Sequence, residues 1–344
     1  MRRQRQPTTW NPVTPQVHGL VRPVGLDPFG LDGPTKGQAR GPLWVWTSHG
    51  HYVPIGTPRD LVEQWIMERA VRLPPMGAVT GWAACRLHGA AYFDGLADDG
   101  RAWLPVPLAI GPHRSLAASP TVVVTNHVLL PRDRTTVYDI PTVIPVRAVY
   151  DAVRLAPDLH AAVRAIDMAA AAGLCSLSQL RQYAALQPQE AAKVLRAASL
   201  ASEYALSPPE TDVRLVCELD LGLQGLEVNA HIHDRDGRVV AQADLLDPEA
   251  GLVIEVDGLH HQRPHQASAD LARSDALLRL GLEVARVAAR DSRRRSLVAQ
   301  RVRLVRSRCR FEPVSERAWW FSRPHVDFDA RRRWGGETAG GRGA

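Results

Sequence analysis

The chain has 344 residues, 42 of them basic and 36 acidic, for a formal net charge of +6. A hydrophobic content of 45% with 23% charged residues excludes a wholly disordered chain, a collagen and a coiled coil. At roughly 100 to 200 residues per domain, this length implies two domains, each large enough to bury its own core.

Residues 1–42 are rich in Pro, Gly and Arg without periodicity and are expected to form a flexible segment. Two short apolar runs, Leu43–Trp46 and Tyr52–Ile55, flank TSHGH and predict a hairpin turned by Gly50. Pro58–Val71 follows as an amphipathic helix with Leu61, Val62, Trp65, Ile66 and Ala70 on one face. Thr80 stands at the N-cap of GWAACRLHG, which Gly89 closes. Strands are expected at Leu104–Ile110, Thr121–Thr125 and Thr142–Ile144. Helices are expected at Val146–Leu155, Leu159–Ala171, Leu177–Leu186 and Glu190–Tyr204. Residues 43–206 therefore read as one α+β domain, strands first and helices after.

The order SHGHYVP, AVTGWAACRLHGA, a strand region, IPVRAVYDAVR and AIDMAAAAGLCSLSQL resembles the front half of proteins related to AbiEi-type antitoxins. That resemblance implies DNA binding through a winged-helix element and repression of a toxin operon, with an operator and a cognate toxin as partners. Residues 1–42 hold too much Pro and Gly to supply a helix-turn-helix before the hairpin, so any carry-over would rest on Arg40, His49 and His51.

Residues 207–311 carry more chemistry. Ser207-Pro208-Pro209-Glu210 opens a helix with Ser at the N-cap, Pro at the first helical position and Glu at the third, a capping box. LEVNAHIHD and RVVAQADLLD are strands joined at Asp236-Gly237, and LVIEVDG is a third strand after the turn at residues 247–251. A helix from Ser268 to Leu280 ends at Gly281, LEVARVAA is a fourth strand, and Ser292–Arg308 is a basic helix. Residues 312–344 read as a basic, partly disordered tail.

Within this stretch Glu255 and Asp257 stand i, i+2 on one strand and so share a face, with Asp244 near the end of the strand before. Like charges this close call for a cation among them, which predicts a hard divalent metal such as Mg²⁺ or Mn²⁺. Whether Asp244 joins the face depends on the hairpin register, since a slip of one residue would turn it away. Charge is also split along the chain. Residues 201–250 hold 3 basic and 11 acidic side chains, and residues 251–344 hold 19 and 11. The split suits either two solvated faces or a metal-holding carboxylate cluster beside a phosphate-holding surface.

This arrangement resembles the PD-(D/E)XK nuclease superfamily, and within it bacterial relatives of the very-short-patch-repair (Vsr) endonucleases. The matching residues are Glu210, Asp244, the run Glu255-Val256-Asp257-Gly258 with His261 after it, and Asp270, Arg273, Asp275, Gly281 and Arg286. The resemblance implies an α/β restriction-endonuclease-like domain with a mixed central sheet flanked by helices, and Mg²⁺-dependent endonuclease action on DNA. It implies Asp244 and Glu255 as metal ligands, Glu210 completing the shell, and Asp257 or His261 orienting the attacking water or acting as its base. The superfamily's usual lysine has no counterpart, because the only lysines are Lys36 and Lys193; Asp257 stands in its place.

Other readings stand beside these. Glu210 is accounted for by its capping box alone. His231 and His233 could present two imidazoles for zinc, or simply lie on an exposed strand. Arg293, Arg294 and Arg295 oppose the helix macrodipole at a helix start and, with Arg273 and Arg286, are candidates for phosphate contact; coding bias is the plainer explanation of the arginine excess. Asp270 and Arg273 at i, i+3 fit a helix-surface pair. The four cysteines, Cys85, Cys175, Cys217 and Cys309, form no CxxC pair and read as buried thiols of a reducing cytoplasm. No apolar run approaches the roughly 18 residues of a membrane helix, so a cytoplasmic protein without membrane contact is expected. Two functions follow as expectations: a metal-dependent DNA endonuclease, or a non-catalytic DNA-binding regulator of antitoxin type.

Overall fold

The computed structural model describes residues 19–97, 100–112, 114–187, 190–257 and 273–334. The protein is mixed α/β, with three sheets and ten helices among the described residues. None of these helices is long and apolar enough to cross a membrane. The chain forms two compact units. One takes the chain up to Ala156, Ala172–Leu195 and the segment from Phe328; the other takes Pro157–Ala171 and Arg196–Asp327.

In the first unit, β1 (Val24–Gly25), β2 (Trp44–Ser48) and β3 (His51–Pro54) form a small antiparallel sheet in the order β1-β3-β2. The expected hairpin is present, and Gly50 takes the positive φ of +73° that its turn requires. Helix α1 (Val62–Ala70) starts after Leu61, whose ψ of 132° is still extended, so the helix begins later than Pro58. A second sheet, β4 (Ala78–Val79), β5 (Val106–Ala109), β6 (Val122–Thr125), β7 (Arg134–Val137) and β8 (Ile140–Val143), runs in the order β6-β5-β4-β8-β7 with parallel and antiparallel pairs. Strands β4 and β7 escape a periodicity search, one being two residues long and the other reading RTTV.

Helices α2 (Gly81–Leu87) and α3 (Pro145–Leu155) pack together in this unit. Thr80 does not cap α2 with its side chain; its hydroxyl donates instead to the buried Asp151 carboxylate at 2.6 Å. Asp151 also accepts from Arg147 and Arg154. The role expected of Thr80 is overridden because a buried carboxylate needs donors more than a helix end does.

The second unit contains α4 (Leu159–Ala171), so the units do not follow a boundary at residue 206. Asp167 of α4 accepts from Thr211 and Arg214 of α7 (Pro208–Leu215), which ties α4 to the later half of the chain. The first unit keeps α5 (Leu177–Ala185), and α6 (Ala191–Leu200) carries the chain across.

The second unit's sheet contains β9 (Glu227–Asp234), β10 (Val239–Asp247), β11 (Leu252–Asp257), β12 (Glu283–Ala288) and β13 (Trp319–Ser322), in the order β12-β11-β10-β9-β13. Only β11 and β12 pair in parallel, and the segment linking them carries α8, described over residues 273–279. Helix α9 (Arg295–Arg306) packs on β12 and β11; α10 (Phe328–Trp334), next in the chain after β13, belongs to the first unit. Ala230, Ile232, Ala243, Leu246, Val253, Leu277 and Trp319 belong to this unit's buried core.

Two expectations change here. Residues 319–322 are a strand on the edge of β9 rather than part of a disordered tail, because WWF brings apolar area that the sheet can bury. That strand also covers His233, which is buried, stacks on the Trp320 ring at 3.9 Å and hydrogen-bonds Ser322 Oγ at 2.9 Å, so β9 is not exposed at this point. Cys85, Cys175 and Cys217 are buried, as expected, whereas Cys309 is half-buried, its thiol set against the Val305 carbonyl at the end of α9.

Candidate functional site

The register of β10 and β11 answers the question left open by the sequence. Their last paired residues are Leu245 and Ile254. The next residue on each strand is Asp244 and Glu255, so the two carboxylates leave the ladder side by side on one face. Asp244 Oδ2 then accepts the Val256 N–H at 2.7 Å. Asp257, two residues beyond Glu255, lies on the same face.

Burial dominates the electrostatics. Desolvation, offset in part by the Val256 N–H and reinforced by Glu210, pushes the Asp244 carboxyl up to about 6. Desolvation and the neighbouring Asp244 push Glu255 up to about 7 against the pull of Arg273. Glu255 is only 5% exposed. Its Oε2 is bonded by the Arg273 guanidinium, and its Oε1 is buried without a hydrogen-bond partner among the described residues. An orphaned carboxylate oxygen beside a second carboxylate fits Mg²⁺, which commonly takes one or two carboxylates and completes its shell with water and phosphate oxygens.

Glu210 is near this pair but committed elsewhere. Its Oε1 accepts from Ser207 Oγ at 2.7 Å, and its Oε2 accepts from the Leu206 N–H at 3.0 Å and Asn229 Nδ2 at 2.8 Å. The capping arrangement is therefore real, with the reciprocal bond going to Leu206 rather than Ser207. Among the described residues, no three of His, Cys, Asp and Glu come together as a metal-ligating group.

Asn229 was not singled out in the sequence. It sits inside β9 with a φ of +52°, its amide nitrogen also reaching the Tyr204 carbonyl and its Oδ1 accepting from Gln242. The signal for it is an Asn inside a strand, where that residue is depleted, since Asn is one of the few side chains that tolerates the left-handed region.

Each of the five arginines considered for phosphate contact has a protein acceptor. Arg273 holds Glu255. Arg286, beside Glu255 in the β11–β12 register, lies 3.7 Å from Asp257 and donates to Ser274 Oγ at 2.6 Å. Arg293 lies 3.5 Å from Asp212 and Arg294 3.3 Å from Asp291. Arg295 grips the Asp220 carboxylate with both Nε and Nη2. Only Arg295 is inside α9, so Asp220, not the helix, answers for a cation at that end. His261, with Gly258, His260 and Asp270, lies outside the described residues. No protein-family model, curated protein or solved structure matches the chain.

Proposed function

We propose that the second unit is a restriction-endonuclease-like domain of PD-(D/E)XK type that hydrolyses DNA phosphodiester bonds with Mg²⁺ or Mn²⁺, and that Asp244 and Glu255 hold the metal. The observation that carries this reading is the pair itself: a half-buried and a buried carboxylate side by side where β10 and β11 part, the buried one with an oxygen that no described residue satisfies. When bound, the metal supplies Lewis acidity, polarising the phosphate and lowering the pKa of the attacking water. Asp257 stands where the superfamily places its lysine and orients the nucleophile, together with His261 as base. Glu210 acts at one remove: Ser207 and Asn229 hold it beside Asp244, whose charge it influences. Arg273 and Arg286 border the carboxylates and supply positive charge on the side from which a phosphate approaches.

Plasmid DNA incubated with the protein and Mg²⁺ or Mn²⁺ tests this. The wild type should nick or linearise it, and Asp244→Asn and Glu255→Gln should each lose about 100-fold or more in rate. Cleavage equal in all three proteins, or absent from all, sinks the reading.

A second reading, a non-catalytic DNA-binding regulator of antitoxin type, is favoured by one observation: the Arg273 guanidinium already neutralises Glu255, so the fold needs no metal. It requires salt-dependent retention of operator DNA without cleavage, and fails if no DNA is held at low salt.

A further inference from the structure

We propose that Arg273 is an internal counter-cation for Glu255 that a divalent metal displaces on binding. The inference rests on the metal-site reading above and assigns a step to one side chain within it.

Two buried carboxylates show what a locked site looks like. Asp151 is saturated: one oxygen accepts from Thr80 and Arg147, the other from Arg154. Asp167 is saturated likewise, by the Ser202 N–H on one oxygen and by Thr211 and Arg214 on the other. Their arginine partners are themselves buried, at 2–3% side-chain exposure. Such sites have neither a vacant oxygen nor a partner free to leave.

Glu255 differs on both counts. One of its oxygens has no hydrogen-bond partner among the described residues. The cation on the other belongs to a side chain that is 35% exposed, against 6% for the carboxylate. Glu63 in the first unit also has an oxygen without a partner among the described residues, but its Arg86 is as buried as the acid, so that pair is locked. At Glu255 the guanidinium can swing outward into water without crossing the core.

Its departure requires a replacement. A buried carboxylate left alone beside Asp244 is strongly disfavoured, and a divalent cation reaching both acids satisfies Glu255 Oε1 as well. The displaced guanidinium remains tethered to α8 beside the cation, where its planar fork can take a phosphate. Without a motif lysine, Arg273 thus supplies the cation that keeps the site intact before metal arrives.

Mn²⁺ titrated calorimetrically into the full-length wild type, Arg273→Gln, Arg273→Lys and Glu255→Gln tests the exchange without DNA or turnover. Removing the competitor should make Arg273→Gln bind Mn²⁺ about tenfold more tightly, and Mn²⁺ should raise its melting temperature more than that of the wild type. Arg273→Lys, which restores a cation, should return affinity towards the wild-type value. Unchanged or weaker binding by Arg273→Gln, with binding lost in Glu255→Gln, overturns the exchange and leaves the metal site standing. Absence of Mn²⁺ binding from every protein overturns both. The melting curves themselves show whether each variant is folded.

Discussion

Asp167 shows how much of this fold hangs on single ionised side chains. It is fully buried, and its carboxylate gathers the Ser202 N–H, the Thr211 hydroxyl and the Arg214 guanidinium, which joins α4, α7 and the segment between them. Desolvation pushes its carboxyl up, and Arg214 pulls it back. Asp167→Ala leaves Arg214 buried without its main counter-charge and should cost about 3 to 5 kcal/mol, read as a shifted urea midpoint. A loss under about 1 kcal/mol would show that Glu218, the other acid on Arg214, carries the charge balance instead. No sequence pattern pointed to Asp167, because the three donors it serves lie 35 to 47 residues further along the chain. Glu255 and Asp257 were legible for the opposite reason, since an i, i+2 spacing on a strand fixes a shared face without any tertiary contact.

At the level of elements, the four strands and three helices expected within residues 207–308 are present where described, because turn residues and period-two alternation are local signals. Strand β13 was not legible. Its sequence, WWFS, is short and stands in a basic, Gly-rich terminal stretch, and only the open edge of β9 makes it a strand. Trp319 enters the core at 6% exposure, while Arg317 lies over its ring. Trp319→Ala should therefore cost about 3 to 5 kcal/mol, and a melting temperature within about 2 °C of the wild type would show that β13 contributes little to the unit.

For the whole molecule, the separation of charge along the chain resolves as pairing within the second unit. The basic later segment supplies Arg293, Arg295, Arg306 and Arg323, which meet Asp212, Asp220, Asp247 and Glu227 of the acidic segment before it. Residue counts alone were open to a phosphate surface; the folded chain uses much of that positive charge on its own acids.

Global stability should also carry the signature of the carboxylate pair. In EDTA, Asp244 and Glu255 have folded pKa values raised to about 6 and about 7 from ordinary values of 3.8 and 4.5, so the folded state binds protons more tightly. Their contribution is complete below about pH 4 and declines as pH rises towards 7. Mg²⁺ binds the ionised forms, so the stability it adds should grow over the same range. Denaturant midpoints from pH 4 to 8, with and without Mg²⁺, check both slopes; parallel curves would count against a metal on these groups.

The sequence by itself determined the local grammar: the hairpin at Gly50, the capped helix at Ser207, the positions of four strands between Leu226 and Ala289, and a carboxylate pair on one strand face. These follow from periodicity and turn chemistry acting over a few residues. Only the tertiary structure decided that Asp244 stands beside Glu255, that Glu210 is held by Asn229, that α4 belongs with the later half of the chain, and that the expected phosphate-binding arginines already have acceptors. Each of these depends on strand register or on partners far apart in the chain, and burial, by making every unsatisfied charge costly, selected which partners met.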